Sequence, residues 1–447
     1  MAQPPDTLKD KPAEAHDPYA ALRIPAFRRL LIGGQFVMIG TAGQSVAIGY
    51  EMYQRTKDPL ALGLVGLVQA IPMLVLTLPS GYLADVLDRR KLIVASMILT
   101  SATSVGLAAF SYWQGPIAVM YLLLFFDSCA LRLGWPARSA LMPLIVPASA
   151  FENSVKWRTS LGRLSAMVGP AVGGFIVAWS TPAAYLISAA STVGMIFVLL
   201  SIDVPQGRRV PPGNMLRRVR EGIHFVWAKK VVLGAISLDL FAVLLGGAVF
   251  LLPLYAEEYV PPILGMSTAQ SLGWLRAAPA AGALVTALIL AHMPPMRKAG
   301  RTLLLAVAGF GAATIVFGLS RNFWLSMAML AMTGAMDNIS VVVRHTLVQL
   351  STPNEMRGRV SAVNSMFITG SNELGGFESG LVGKLFNPVV SVVSGGVGTI
   401  VVVLAWARLF PSLAKVGRLA EVDASSETTP LASPPGVVGA DLPDDSA

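Results

Sequence analysis

The chain is organised around a succession of apolar stretches, each about as long as the hydrocarbon core of a bilayer demands of a helix. Such a helix needs roughly 20 mostly apolar residues. In lipid its backbone polar groups must all be satisfied within the segment. Stretches of this kind run over 29–54, 61–84, 91–112, 117–140, 157–179 and 182–202. A second set runs over 231–255, 268–292, 301–320, 323–346, 358–385 and 388–408. The sequence therefore predicts an all-α membrane protein of about twelve transmembrane helices. They form two pseudo-symmetric six-helix bundles, 21–202 and 231–410, joined by a polar, basic linker at 203–230. Composition agrees, because 54% of residues are hydrophobic and only 13% are charged, about half the charged share of a soluble domain.

The net charge of +9 does not point to nucleic acid, because the cations sit in short clusters between apolar runs. Arg23, Arg28 and Arg29 precede the first span, Arg89, Arg90 and Lys91 follow the second, and Arg138, Lys156 and Arg158 flank the loop after the fourth. Arg208, Arg209, Arg217, Arg218 and Arg220 crowd the linker. Arg297, Lys298 and Arg301, then Arg357 and Arg359, then Lys415 and Arg418 complete the series. The alternate loops carry only Arg55, Lys57, Arg321 and Lys384. Positive loops stay on the cytoplasmic side, so both termini are expected inside. Residues 1–20 and 411–447 are expected to be largely disordered cytoplasmic tails, with no cleavable signal peptide in the first 25 residues. In the linker, Leu216, Val219, Ile223 and Val226 recur at helical spacing opposite Arg217, Arg218 and Arg220. That pattern predicts a basic amphipathic helix, either lying on the cytoplasmic leaflet or solvated. The lone Cys129 excludes an intrachain disulfide, and His16, His224, His292 and His345 are too scattered for a metal site.

The two bundles share a repeat. Arg138, Leu141, Leu144 and Pro147 recur 206 residues later as Arg344, Leu347, Leu350 and Pro353, and Gly169 and Gly174 fall on Gly375 and Gly380. The third, sixth, ninth and twelfth spans contain almost no charge, whereas Glu51, Asp127, Asp239, Arg276, Asp337, Glu373 and Glu378 lie within others. A charge in lipid costs at least about 2.5–3.5 kcal/mol, so it normally faces a polar path. Three-helix units whose third helix faces lipid and whose first lines a central path account for this division.

After the second span comes Gly81-Tyr-Leu-Ala-Asp85-Val-Leu-Asp88-Arg89-Arg90-Lys91. It resembles the cytoplasmic signature of the major facilitator superfamily, with Asp88 where the family usually has Gly. The resemblance implies that Gly81, Asp85, Arg89 and Arg90 form a latch holding the outward-facing state. In the fifth span, Gly169-Pro170-Ala-Val-Gly173-Gly174 is similar to the end of a motif of antiporter members, although Ser165 stands where an upstream glycine is expected. The same residues also serve plain helix packing and a proline bend. With Phe27-Arg28-Arg29-Leu30, the Pro59 to Gly66 run, Pro136-Ala-Arg138 and Arg357-Gly-Arg359-Val360, residues 18–415 resemble the branch that includes enterobactin exporters and macrolide-efflux proteins. This implies a major facilitator fold and alternating access and, with the short loops, a bacterial inner membrane.

Asp127, Asp337, Glu373, Glu378, Arg276 and Glu51 are the candidates for proton coupling or for lining a substrate cavity. Ser371 to Gly380 is too polar and Gly-rich for a lipid-facing stretch, so one of its carboxylates is the first choice for coupling. For Asp127, a structural hydrogen bond to Ser or to Arg132 competes equally with proton binding. Glu51 reads as a gate or solvated residue, Arg276 as a partner for a carboxylate or anionic cargo, and Asp239 as structural. Desolvation favours a neutral carboxyl and a bound cation favours the charged form, so exchange of a proton for a cationic cargo follows naturally. The expected function is proton-coupled efflux of a small amphipathic drug, siderophore or metabolite by a monomer. The bilayer, protons and cargo are its partners, with no cofactor, no metal and no enzymatic activity. Proton-coupled nutrient uptake is the alternative, with a non-transporting receptor further behind. Met327, Met329, Met332 and Met336 suit either adaptable binding or packing.

Overall fold

The computed structural model describes residues 17–202, 215–294 and 296–417. The expected tails outside this range and the linker segment 203–214 lie outside the described residues. The first half contains α1 (Pro25–Thr56), α2 (Pro59–Val86), α3 (Arg89–Tyr112), α4 (Ile117–Ser139), α5 (Ala148–Trp179) and α6 (Thr181–Leu200). A linker helix α7 (Met215–Ala228) leads into α8 (Lys230–Leu245), followed by α9 (Thr268–His292), α10 (Ala299–Leu319), α11 (Phe323–Leu350), α12 (Asn354–Leu385) and α13 (Pro388–Leu409). Among the described residues, eleven helices are long and apolar enough to cross a membrane. The remaining helix, α12, which holds the eleventh stretch, is not among them, because Glu355, Arg357, Arg359, Glu373, Glu378 and Lys384 interrupt its apolar run.

Local chemistry fixes the helix ends. Asp58 accepts from the Leu60 N–H at 3.0 Å with Pro59 opening α2, and Asn387 accepts from Val389 N–H at 2.8 Å with Pro388 opening α13. Such caps satisfy orphan amide donors, and proline in the first turn lacks only a hydrogen that had no partner. Ser267 and Gln270 close a capping box on α9. Asp88 caps α3, accepting from Lys91 N–H at 3.0 Å with φ −62°, so the turn after α2 needs no glycine.

The repeat is exact in length: α5 and α12 are both 32 residues long, each preceded by a proline cap, Pro147 or Pro353, and offset by 206 residues at both ends. These two helices join the halves, α5 packing on α9 and α12 on α2. At the end where α1 meets α2, one core mixes both halves, with Met52, Leu107 and Tyr185 beside Leu251, Tyr255 and Phe317. At the opposite end, which carries the basic loops, each half keeps separate cores. The halves thus share a hydrophobic core at the far end and none toward the basic end, among the described residues. The linker helix docks on the second half: Phe225 and Val226 pack with Val348, Val360 and Val363, and Glu221 pairs with Arg359 at 2.6 Å.

Candidate functional site

The contact between α2 and α12 is made by backbone meeting backbone. A Cβ on Gly380 would lie 2.5 Å from Gly63 Cα, and one on Gly66 would lie 2.7 Å from Glu373 O. Close by, α8 stops at Gly246 and Gly247 and continues as short turns to Tyr259. Gly247 sits against Ser379 and Gly375 of α12, so the broken helix nests on the Gly-rich stretch. Broken helices in transporters expose backbone groups where they line a cavity.

Glu373 lies in this region, half-buried, with an Oε2 that is buried and has no hydrogen-bond partner among the described residues. Opposite it, Arg132 of α4 is close enough for the two charges to interact, and its Nε is likewise buried without a partner. They stand on different halves, and no direct ion pair joins them among the described residues. Glu378, also half-buried, accepts from Ser379 Oγ at 3.5 Å. On the other side, Arg163 of α5 donates to Asn338 Oδ1 of α11 at 3.1 Å, and Asp337 is exposed beside it.

The remaining candidates sit elsewhere. Asp127 is buried within the first half, its Oδ1 accepting from Thr103 Oγ at 3.1 Å and its Oδ2 from Gln44 Nε2 at 3.4 Å, not from Arg132. Glu51 is buried rather than solvated, paired with Arg55 at 3.3 Å and accepting from Tyr185 OH at 3.0 Å. It locks α1 to α6. Arg276 does cross between the halves, but it donates to Ser45 O at 2.5 Å and Ser45 Oγ at 3.2 Å instead of to a carboxylate. Asp239 forms a buried ion pair with Arg344.

Gly81 and Asp85 lie in the last turns of α2, and Arg90 donates to Leu200 O at 2.6 Å at the end of α6. Gly169 faces Ala42 and Gly173 faces Gly43, so one edge of α5 packs on α1. Gly174 turns to α9, where its Cβ would lie 2.8 Å from Gly273 Cα. Pro170 is inside α5, with its carbonyl against Gly273. The methionines divide: Met327 and Met329 pack on the far-end core, Met336 covers Gly309 and Met332 is exposed.

The far end is tied by polar contacts. Gln54 donates to Glu257 at 2.8 Å, Lys57 pairs with Glu257, Tyr53 donates to Glu258 and Lys384 pairs with Asp58 at 2.5 Å. Arg321 stacks over the Tyr259 ring at 4.3 Å. With Arg55 on Glu51, each cation of the far-end loops has a partner. Sequence reading passed over Arg132 and Arg163 as site residues, and the signal available was their position within apolar spans.

Two six-helix halves, sharing one core at one end and keeping separate cores at the other, define a membrane transporter of the major facilitator type. The chain matches the transmembrane secretion effector family over residues 16–433 and belongs to it. The enterobactin exporter EntS of Escherichia coli O1:K1 is 26% identical over 386 residues, covering 85% of this chain and 90% of that protein. Solved structures share the fold. A mutant of the nucleoside transporter NupG superposes with a TM-score of 0.70 at 12% identity, covering 86% of this chain and all of the other. A D-xylose–proton symporter does so with a TM-score of 0.65 at 14% identity, covering 89% of this chain and 99% of the other.

Proposed function

We propose that the protein is a proton-coupled exporter of a small amphipathic molecule, seated in a bacterial inner membrane with its basic end in the cytoplasm. The observation that carries the reading is Glu373, a half-buried carboxylate on the α2–α12 contact between the halves, with one oxygen unpartnered among the described residues and the charge of Arg132 near it. With the basic end inside, the described state opens to the cytoplasm, where cargo for export is loaded. A proton on Glu373 weakens its attraction to Arg132 and frees the halves to rock about the glycine contacts. A cationic group on the cargo competes with that proton for the same carboxylate, which is the requirement for exchange. The likeness to an enterobactin exporter supports export over uptake.

The test uses proteoliposomes with a lumenal pH dye, an imposed proton gradient and a panel of cationic and siderophore-like compounds. Wild type is compared with Glu373→Gln, Glu378→Gln and Asp127→Asn. Compound-dependent proton movement that is lost in Glu373→Gln is expected. Absence of proton movement with every compound would overturn the coupled-exporter reading.

A further inference from the structure

The linker helix α7 plays no part in the proposed exchange, and its sequence alone leaves it either on the membrane surface or in water. The structure divides it into two faces. Gly222, Phe225 and Val226 turn to the second half. Phe225 and Val226 pack with Val348, Val360 and Val363, and a Cβ on Gly222 would lie 3.0 Å from Arg359 O. Ile223 does not join them. It is exposed with Arg220, His224 and Trp227, residues spaced at helical intervals along the outward side.

That outward side is apolar where a solvated helix is polar. Trp227 is 66% exposed and Ile223 38% exposed, and a separation of four residues sets them side by side. Cations flank the pair: Arg220 lies one turn before Ile223, and the exposed Lys229 and Lys230 follow Trp227. Residues 215–230 carry Arg217, Arg218, Arg220, Lys229 and Lys230 against one acid, Glu221, which Arg359 engages at 2.6 Å.

Position decides what meets this face. Lys230 opens the candidate span Lys230–Tyr259, so Trp227 stands within one helical turn of the depth at which the chain enters the bilayer. Tryptophan favours that depth, and anionic headgroups attract the Lys and Arg beside it. The first turn of α8 has no acidic residue and no side-chain cap. Its amide donors therefore also favour negative charge at this boundary. A soluble acidic partner matches the cations but gives no reason for an apolar pair at the edge of a span.

We propose that the outward face of α7, with Arg220, Ile223 and Trp227 followed by Lys229 and Lys230, is a docking surface for the anionic headgroups of the adjoining leaflet. Ile223 and Trp227 enter the interface and the cations hold lipid phosphate. Because the opposite face of α7 is packed on the second half, the contact anchors that half to the leaflet. The surface stands whether or not Glu373 couples protons.

The experiment places the full chain in nanodiscs of phosphatidylcholine and phosphatidylglycerol at one fixed ratio, with one or the other lipid brominated near its headgroup. The emission of Trp227 is the difference between wild type and Trp227→Phe. Quenching per labelled lipid should be at least about twofold stronger from phosphatidylglycerol at low salt. Arg220→Gln combined with Lys229→Gln and Lys230→Gln should make the two lipids quench equally, and high salt should do the same to wild type. Equal quenching in wild type at low salt would overturn the surface, as would a preference that survives in the triple variant. No quenching from either lipid would also overturn it, leaving the face in water and open to a soluble acidic partner. The readout involves no transport, so failure here is separable from failure of the exporter reading.

Discussion

The α5–α9 and α2–α12 contacts are the same joint built twice, and they differ in what surrounds the glycines. Gly174 meets Gly273 in one, and Gly380 meets Gly63 in the other. Around the first joint lie Phe175 and Trp274, edge to face at 6.4 Å, with Arg276 bonded to the Ser45 backbone. Around the second lie Glu373, Glu378 and the Asp58–Lys384 pair. The repeat makes the contrast explicit, since Met167 and Val172 of α5 stand where α12 has Glu373 and Glu378. The duplicated helix makes a close glycine contact on both sides, and the two carboxylates of α12 have no counterpart on α5.

The largest effect tests whether the second half also relies on buried charge for its own integrity. Asp239→Asn leaves Arg344 buried without its counter-ion, and stability in detergent should fall by about 3–5 kcal/mol. Thermal melts check this, and Glu378→Gln, half-buried and accepting only from Ser379 among the described residues, should cost far less. Next, Gly174→Val and Gly380→Val each force a side chain into backbone. Overpacking of this kind should cost about 1–3 kcal/mol and abolish transport at both joints alike. A joint that tolerates valine is not a joint. Third, Glu373→Gln should lower proton-driven flux at least about tenfold, equivalent to about 1.4 kcal/mol, while Met167→Leu at the matching place on α5 leaves it within about twofold. The smallest effect belongs to Lys384→Gln, which breaks a half-exposed pair with Asp58. It should cost less than about 1 kcal/mol and vanish at high salt, read as a small shift of opening at the far end.

The sequence exposed the architecture because lipid imposes length and apolarity on every span. It trimmed the ends: α5 begins at Ala148 rather than near 157, because Glu152, Lys156 and Arg158 continue the helix beyond the apolar stretch. It also read 231–255 as one span, whereas Gly246 and Gly247 break it and turns carry the chain to Tyr259. The polarity of 371–380 pointed to Glu373, but its partner was hidden. Arg132 is five residues from Asp127, which on a helix turns it well away from that carboxylate. Its influence on Glu373 arises only between the two halves, across residues far apart in sequence. The contacts of Glu51 with Tyr185 and of Arg276 with Ser45 were hidden for the same reason, since those partners are distant in sequence.

The central claim is that the charged joint couples proton movement while the paired glycine joints provide the motion. Glu373→Gln in proteoliposomes separates the two, by comparing cargo-for-cargo exchange, which needs no net proton movement, with flux driven by a proton gradient. The account predicts that exchange persists near the wild-type rate and that gradient-driven flux is lost. Gradient-driven flux surviving in Glu373→Gln, or exchange disappearing along with it, would contradict the account.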